Sequence, residues 1–106
     1  MDKKQTLIVK QFVSRVKSKY PRSRIILFGS RARGKAKKDS DYDFLIISTD
    51  FNRIPYDDRA PSIYFLKRDI PAPMDIICAT PSEAKKSKFT VIEEAIRDGI
   101  DVTAMA

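Results

Sequence analysis

The stretch that most restricts the fold is Tyr42-Asp43-Phe44-Leu45-Ile46-Ile47-Ser48. Side chains alternate between the two sides of a strand, and after the first two residues both sides here are apolar. Such a strand has to be covered on both faces, which calls for a layered architecture. Two other apolar runs read as its companions: Arg24–Phe28 (RIILF), closed by Gly29, and Met74–Ala79 (MDIICA). Helical signals separate these runs. Over residues 3–19, Ile8, Phe12 and Val16 recur every four residues with Val9 and Val13 beside them, and Pro21 ends the pattern. Ser30 is a natural cap for a short helix. Pro61 suits the first turn of a helix running to about Arg68, and Pro71 and Pro73 forbid its continuation. Pro81-Ser82-Glu83 starts another helix, and Thr90-x-x-Glu93 has the form of a capping box that opens a further one, stopped by Gly99. Thr49–Tyr56 reads as a loop, and Ile100 and Val102 as a small terminal strand. The order α-β-α-β-α-β-α-α-β predicts an α/β (α+β) fold, a small mixed sheet with helices packed against it, in one domain spanning 1–106.

Composition removes several chemistries. The 106 residues include no histidine, so Ser-His-Asp, Cys-His and His-based zinc sites are excluded. A single cysteine, Cys78, allows no intramolecular disulfide and fits a reducing cytosol, hence a cytoplasmic protein. No apolar run approaches membrane-spanning length, and the N-terminal residues do not read as a signal peptide. Charge is uneven: residues 1–40 hold 13 Lys/Arg against 2 Asp/Glu, whereas residues 41–106 hold 8 against 12. The basic part suits a polyanionic ligand, although basic residues on a solvated face are common.

Two patterns compete for the chemistry. Gly29-Ser-Arg-Ala-Arg-Gly34-Lys35 has the glycine and lysine spacing of a P-loop, but Ala36 stands where a Ser or Thr hydroxyl is needed, and the chain is too short for the βα units of such a domain. The carboxylates read better. Alternation projects Asp41 and Asp43 from one face of the strand, and two charges at the start of an apolar strand need compensation. A Mg²⁺ ion compensates them with hard oxygen ligands while keeping positions open for substrate phosphates. Asp75 opens the third apolar run, so all three carboxylates converge if that strand lies beside 42–48. Asp69 is a rival that precedes Pro71 in an expected loop. Gly29-Ser30, ending a strand and opening a helix, would present backbone N–H groups and a positive dipole end to phosphates, with Arg33 one turn on. Asp57 and Asp58 read as solvated or capping, Arg31 as solvated, Lys35, Lys37 and Lys38 as exposed, and Cys78 as core packing on the face opposite Asp75.

Gly29-Ser30, ten intervening residues and then Asp41-Tyr42-Asp43 resemble the signature of the DNA polymerase beta-like nucleotidyltransferase superfamily. The longer string LFGSRARGKAKKDSDYDFLI is similar to its minimal nucleotidyltransferase branch, small proteins paired with HEPN-domain proteins, and the later PAPMDIICATPSEA and VIEEAIRDGIDV also fit that branch. The resemblance implies a Mg²⁺-dependent enzyme that transfers AMP from ATP, or another nucleoside monophosphate, to a hydroxyl, with the HEPN partner as target and the chain as antitoxin. It implies that Gly29 and Ser30 bind the triphosphate, that Arg33 helps with its outer phosphates, and that Asp41, Asp43 and Asp75 ligate the metal and carry catalysis. The alternatives are an antitoxin that acts by docking alone, and a nucleic-acid binder through residues 1–40. The latter lacks the interleaved aromatics that RNA stacking uses.

Overall fold

A computed structural model describes residues 1–105. Helix α1 (Lys3–Lys19) is capped by Asp2, whose side chain accepts from the Gln5 N–H at 2.8 Å, and it buries Ile8, Val9, Phe12, Val13 and Val16. Strand β1 (Ser23–Phe28) leads into a single helical turn, α2 (Gly29–Ala32). Strand β2 (Tyr42–Ser48) follows, then helix α3 (Tyr56–Leu66), strand β3 (Met74–Ala79), helices α4 (Pro81–Lys86) and α5 (Val91–Asp98), and a two-residue strand β4 (Ile100–Asp101).

The sheet order is β3-β2-β1-β4. β1 runs antiparallel to β2 and β4, and β2 runs parallel to β3 across the α3 crossover, so the sheet is mixed. β2 is covered on both sides, as its composition demands. Phe44 and Ile46 join Phe12, Val16 and Ile63 in one core, and Leu45 and Ile47 join Ile26, Ala79, Ala84 and Ala95 in the other. Phe12 stacks on Phe44 with ring centroids 4.3 Å apart. Among the described residues no helix is long and apolar enough to cross a membrane.

Three local expectations change. α3 begins at Tyr56, five residues before Pro61, which sits inside the helix. Its first four N–H groups need no intrahelical partner, so Pro61 removes only one bond further in. Asp57 and Asp58 favour the early start by placing negative charge in the first turn. The loop after β2 opens with a 3₁₀ turn, Thr49–Phe51, which drives Phe51 fully into the core, edge-on to Tyr20 at 5.1 Å. The complete capping box belongs to α4: Thr80 accepts from the Glu83 N–H, and Glu83 accepts from the Thr80 N–H. At α5 Thr90 caps Glu93, but the Glu93 carboxylate turns to the Phe89 N–H instead.

Gly99 ends α5 by close approach, without a left-handed turn. A Cβ there would lie 2.4 Å from the Ala95 carbonyl oxygen and 2.5 Å from Ile26 Cγ2. Gly99→Ala is therefore expected to push α5 off β1 and destabilise the fold by about 1–3 kcal/mol, read from urea denaturation.

Candidate active site

The site is assembled at the end of β1 and the starts of β2 and β3. The antiparallel register sets Phe28 opposite Asp43, and the parallel register sets Asp43 beside Asp75. Asp41 lies just before β2 and two residues from Asp43, on the same side by alternation. Ile77 and Ala79 continue the Asp75 face into the second core, and Cys78 faces the first. Burial pushes the Cys78 thiol up to about 12, which suits packing and not nucleophilic work.

Asp43 is half-buried and meets the turn after β1 directly. A Cβ on Gly29 would sit 2.0 Å from Asp43 Oδ2, and Gly29 has φ +72°, a left-handed conformation that glycine adopts freely. Burial first, then the charges of Asp75 and Asp41, raise the Asp43 carboxyl above its ordinary value, while the Arg33 guanidinium opposes the rise. The arrangement thus concentrates negative charge, which Arg33 offsets at Asp43. Asp41 and Asp75 are exposed. Among the described residues no three His, Cys, Asp or Glu side chains form a ready ligand set. Hard oxygen donors, uncompensated charge and an open side fit a Mg²⁺ ion that takes its remaining ligands from water and phosphate.

The turn itself differs from the expectation in two respects, the first being that Ser30 lies inside α2, whose cap position is Phe28 with no side-chain capping bond. Second, α2 has four residues, so its backbone N–H groups can serve a phosphate but a sizeable helix dipole does not develop. The Arg33 N–H closes the turn onto the Gly29 carbonyl at 3.2 Å. A P-loop joins its strand to a full helix, which this short turn and the antiparallel return of β2 do not provide. Asp69 lies outside the site, paired in a double hydrogen bond with Arg15, which holds its carboxyl below the usual range.

Two features were not legible in the sequence. Val91, Glu94, Ala95 and Asp98 form one stripe of α5 and, with Gly29 and Arg33, line a cavity of about 130 Å³. Arg31, expected to be solvated, is half-buried and hydrogen-bonded to the Lys38 and Ser40 carbonyls.

The family model of the nucleotidyltransferase domain matches residues 9–98, from α1 through the turn, all three aspartates and α5. The chain belongs to the nucleotidyltransferase domain family. Among solved structures, this nucleotidyltransferase domain is similar to a Sulfolobus solfataricus protein described as a nucleotidyltransferase, at 27% identity and TM-score 0.62, covering 91% of this chain and 77% of that one. It shares its fold with a toxin–antitoxin structure determined with AMP-PNP, at 16% identity and TM-score 0.67, covering 89% of this chain and 71% of that one. No curated protein matches the sequence. The mixed α+β architecture is that of nucleotidyltransferases.

Proposed function

We propose that this nucleotidyltransferase transfers AMP from ATP to a hydroxyl on a partner protein of the HEPN type and acts as the antitoxin of that pair. The observation that carries the reading is the register that sets Asp43 beside Asp75, with the Gly29 turn pressed against Asp43. The fold neighbour determined as a toxin–antitoxin with AMP-PNP supports a nucleotide substrate and a protein partner. In this reading the Gly29-Ser30 backbone and the Ser30 hydroxyl hold the triphosphate, and Arg33 clamps its outer phosphates. Asp41, Asp43 and Asp75 would hold Mg²⁺, which when bound would supply positive charge to the phosphate oxygens. Asp75, exposed at the strand start, faces the incoming hydroxyl and takes its proton. A phosphorus–oxygen bond forms to the acceptor, and the bond to pyrophosphate breaks in line. The single cysteine supports a reducing, cytoplasmic setting for this reading.

The test is incubation with α-labelled ATP, Mg²⁺ and the HEPN partner. Label is expected on the partner and lost on chelation. A partner that stays unlabelled, yet is neutralised equally by wild type and by the triple variant Asp41→Asn, Asp43→Asn, Asp75→Asn, would replace catalysis with docking.

A further inference from the structure

The segment between α2 and β2 carries Asp41, yet strand pairing reaches only as far as Tyr42. What holds the segment comes largely from one side chain. Arg31 donates from Nε and Nη2 to the Ser40 carbonyl at 3.2 and 2.7 Å, and from Nη2 to the Lys38 carbonyl at 3.4 Å. Its guanidinium carbon lies 4.2 Å from the centroid of the Tyr42 ring. One planar group therefore grips the peptide that enters Asp41 and stacks on the residue between Asp41 and Asp43. Tyr42 is itself fixed: its ring is buried on the α1 face beside Phe44, and its backbone N–H donates to the Pro73 carbonyl at 2.9 Å. The local bonds of Lys37 to Ser40 shape the loop but do not tie it to the sheet.

We propose that Arg31 is a positioning residue that sets Asp41 against Asp43 for metal binding, without touching phosphate or metal itself. This rests on the reading of the aspartates as the metal site. Two features favour that role over phosphate binding. Nε and Nη2 are already committed to carbonyls, and the guanidinium carbon sits over the Tyr42 ring. Lysine cannot replace it, because a single ammonium supplies neither the fork nor the stack. The fold should survive its loss, because Arg31 and Lys38 border an open cavity of about 290 Å³ on the α1 side, where water can take over the carbonyls.

The test compares wild type with Arg31→Lys and Arg31→Met. Mn²⁺ affinity, read by paramagnetic titration, is expected to fall about 10–100-fold in both variants, as losses of outer-shell support do. Half-saturating Mg²⁺ in the transfer assay should rise in step, while the KM for ATP and the metal-free affinity for tripolyphosphate stay within about twofold of wild type, because the phosphate contacts remain. Amide exchange at residues 37–41 should quicken while β1 and β3 keep their protection, a local signature that general destabilisation would not produce. Equal losses of tripolyphosphate and Mn²⁺ affinity would make Arg31 a phosphate ligand and overturn the proposal. Full activity in Arg31→Lys would overturn it too, since charge alone would then suffice. If wild type binds neither Mn²⁺ nor tripolyphosphate, the transferase reading falls, and unchanged exchange at 37–41 would refute the clamp on its own.

Discussion

Replacing Asp43 with asparagine is expected to lower nucleotidyl transfer about a thousandfold or more and, at the same time, to raise the melting temperature of the metal-free protein at neutral pH. The first effect follows from losing one of the carboxylates proposed to hold the metal, whose charge stabilisation is worth several kcal/mol, with each factor of ten costing about 1.4 kcal/mol. The second follows from the carboxyl being raised by burial and by Asp75 and Asp41. A raised acid binds its proton more tightly in the folded state, so its contribution favours folding below its unfolded-state value and is lost as pH rises through the higher folded-state value. At pH 7 the ionised carboxylate therefore opposes folding, and the uncharged amide does not. The melting temperature is therefore expected to rise in the variant. Melting in chelator at pH 7 and again in acid checks it: the gain should shrink as Asp43 becomes protonated in the wild type. Added Mg²⁺ should stabilise the wild type and leave Asp43→Asn unmoved, because only a site that binds in the folded state shifts the midpoint. Asp41→Asn and Asp75→Asn should lose transfer to a similar extent.

Gly29→Ala is expected to remove activity by at least about a hundredfold, because a 1 Å misplacement of reacting groups already costs that much. The methyl group would stand 2.0 Å from Asp43 Oδ2, on a backbone with φ +72°. Left-handed strain and the displaced carboxylate together should cost about 2–4 kcal/mol of stability. Gly34 separates the two causes. It has nearly the same conformation, φ +69°, but nothing lies within 4 Å of its added Cβ. Gly34→Ala should therefore cost only about 1 kcal/mol and keep its transfer rate. Steady-state kinetics and chemical denaturation of the two variants side by side distinguish strain from collision. A Gly29→Ala enzyme as active as Gly34→Ala would remove Gly29 from the site.

The candidate site was legible wherever its signal was local. Alternation alone put Asp41 and Asp43 on one face, and Gly29 after an apolar run announced a sharp turn. The choice of Asp75 over Asp69 also followed from strand position, and Asp69 is occupied by Arg15. Reading failed where contacts span the chain. Proline favours a helix start at Pro61, yet the acidic first turn and the burial of Ile63 outweigh one lost hydrogen bond. Phe51 falls in the Thr49–Tyr56 stretch that reads as a loop, and its place in the core depends on Tyr20, far away in sequence.

From its residues alone, the chain determined a doubly covered β2, the alternation that pairs two aspartates, and a glycine turn able to approach them, because these depend on the two-residue strand period and on backbone sterics within a few residues. Only the tertiary structure decided that β3 lies parallel to β2 with Asp75 level with Asp43, that α5 borders the Gly29 turn, and that Arg31 grips Ser40. Strand order, register and side-chain reach are settled by which surfaces bury one another across the whole fold, and no short window of sequence carries that information.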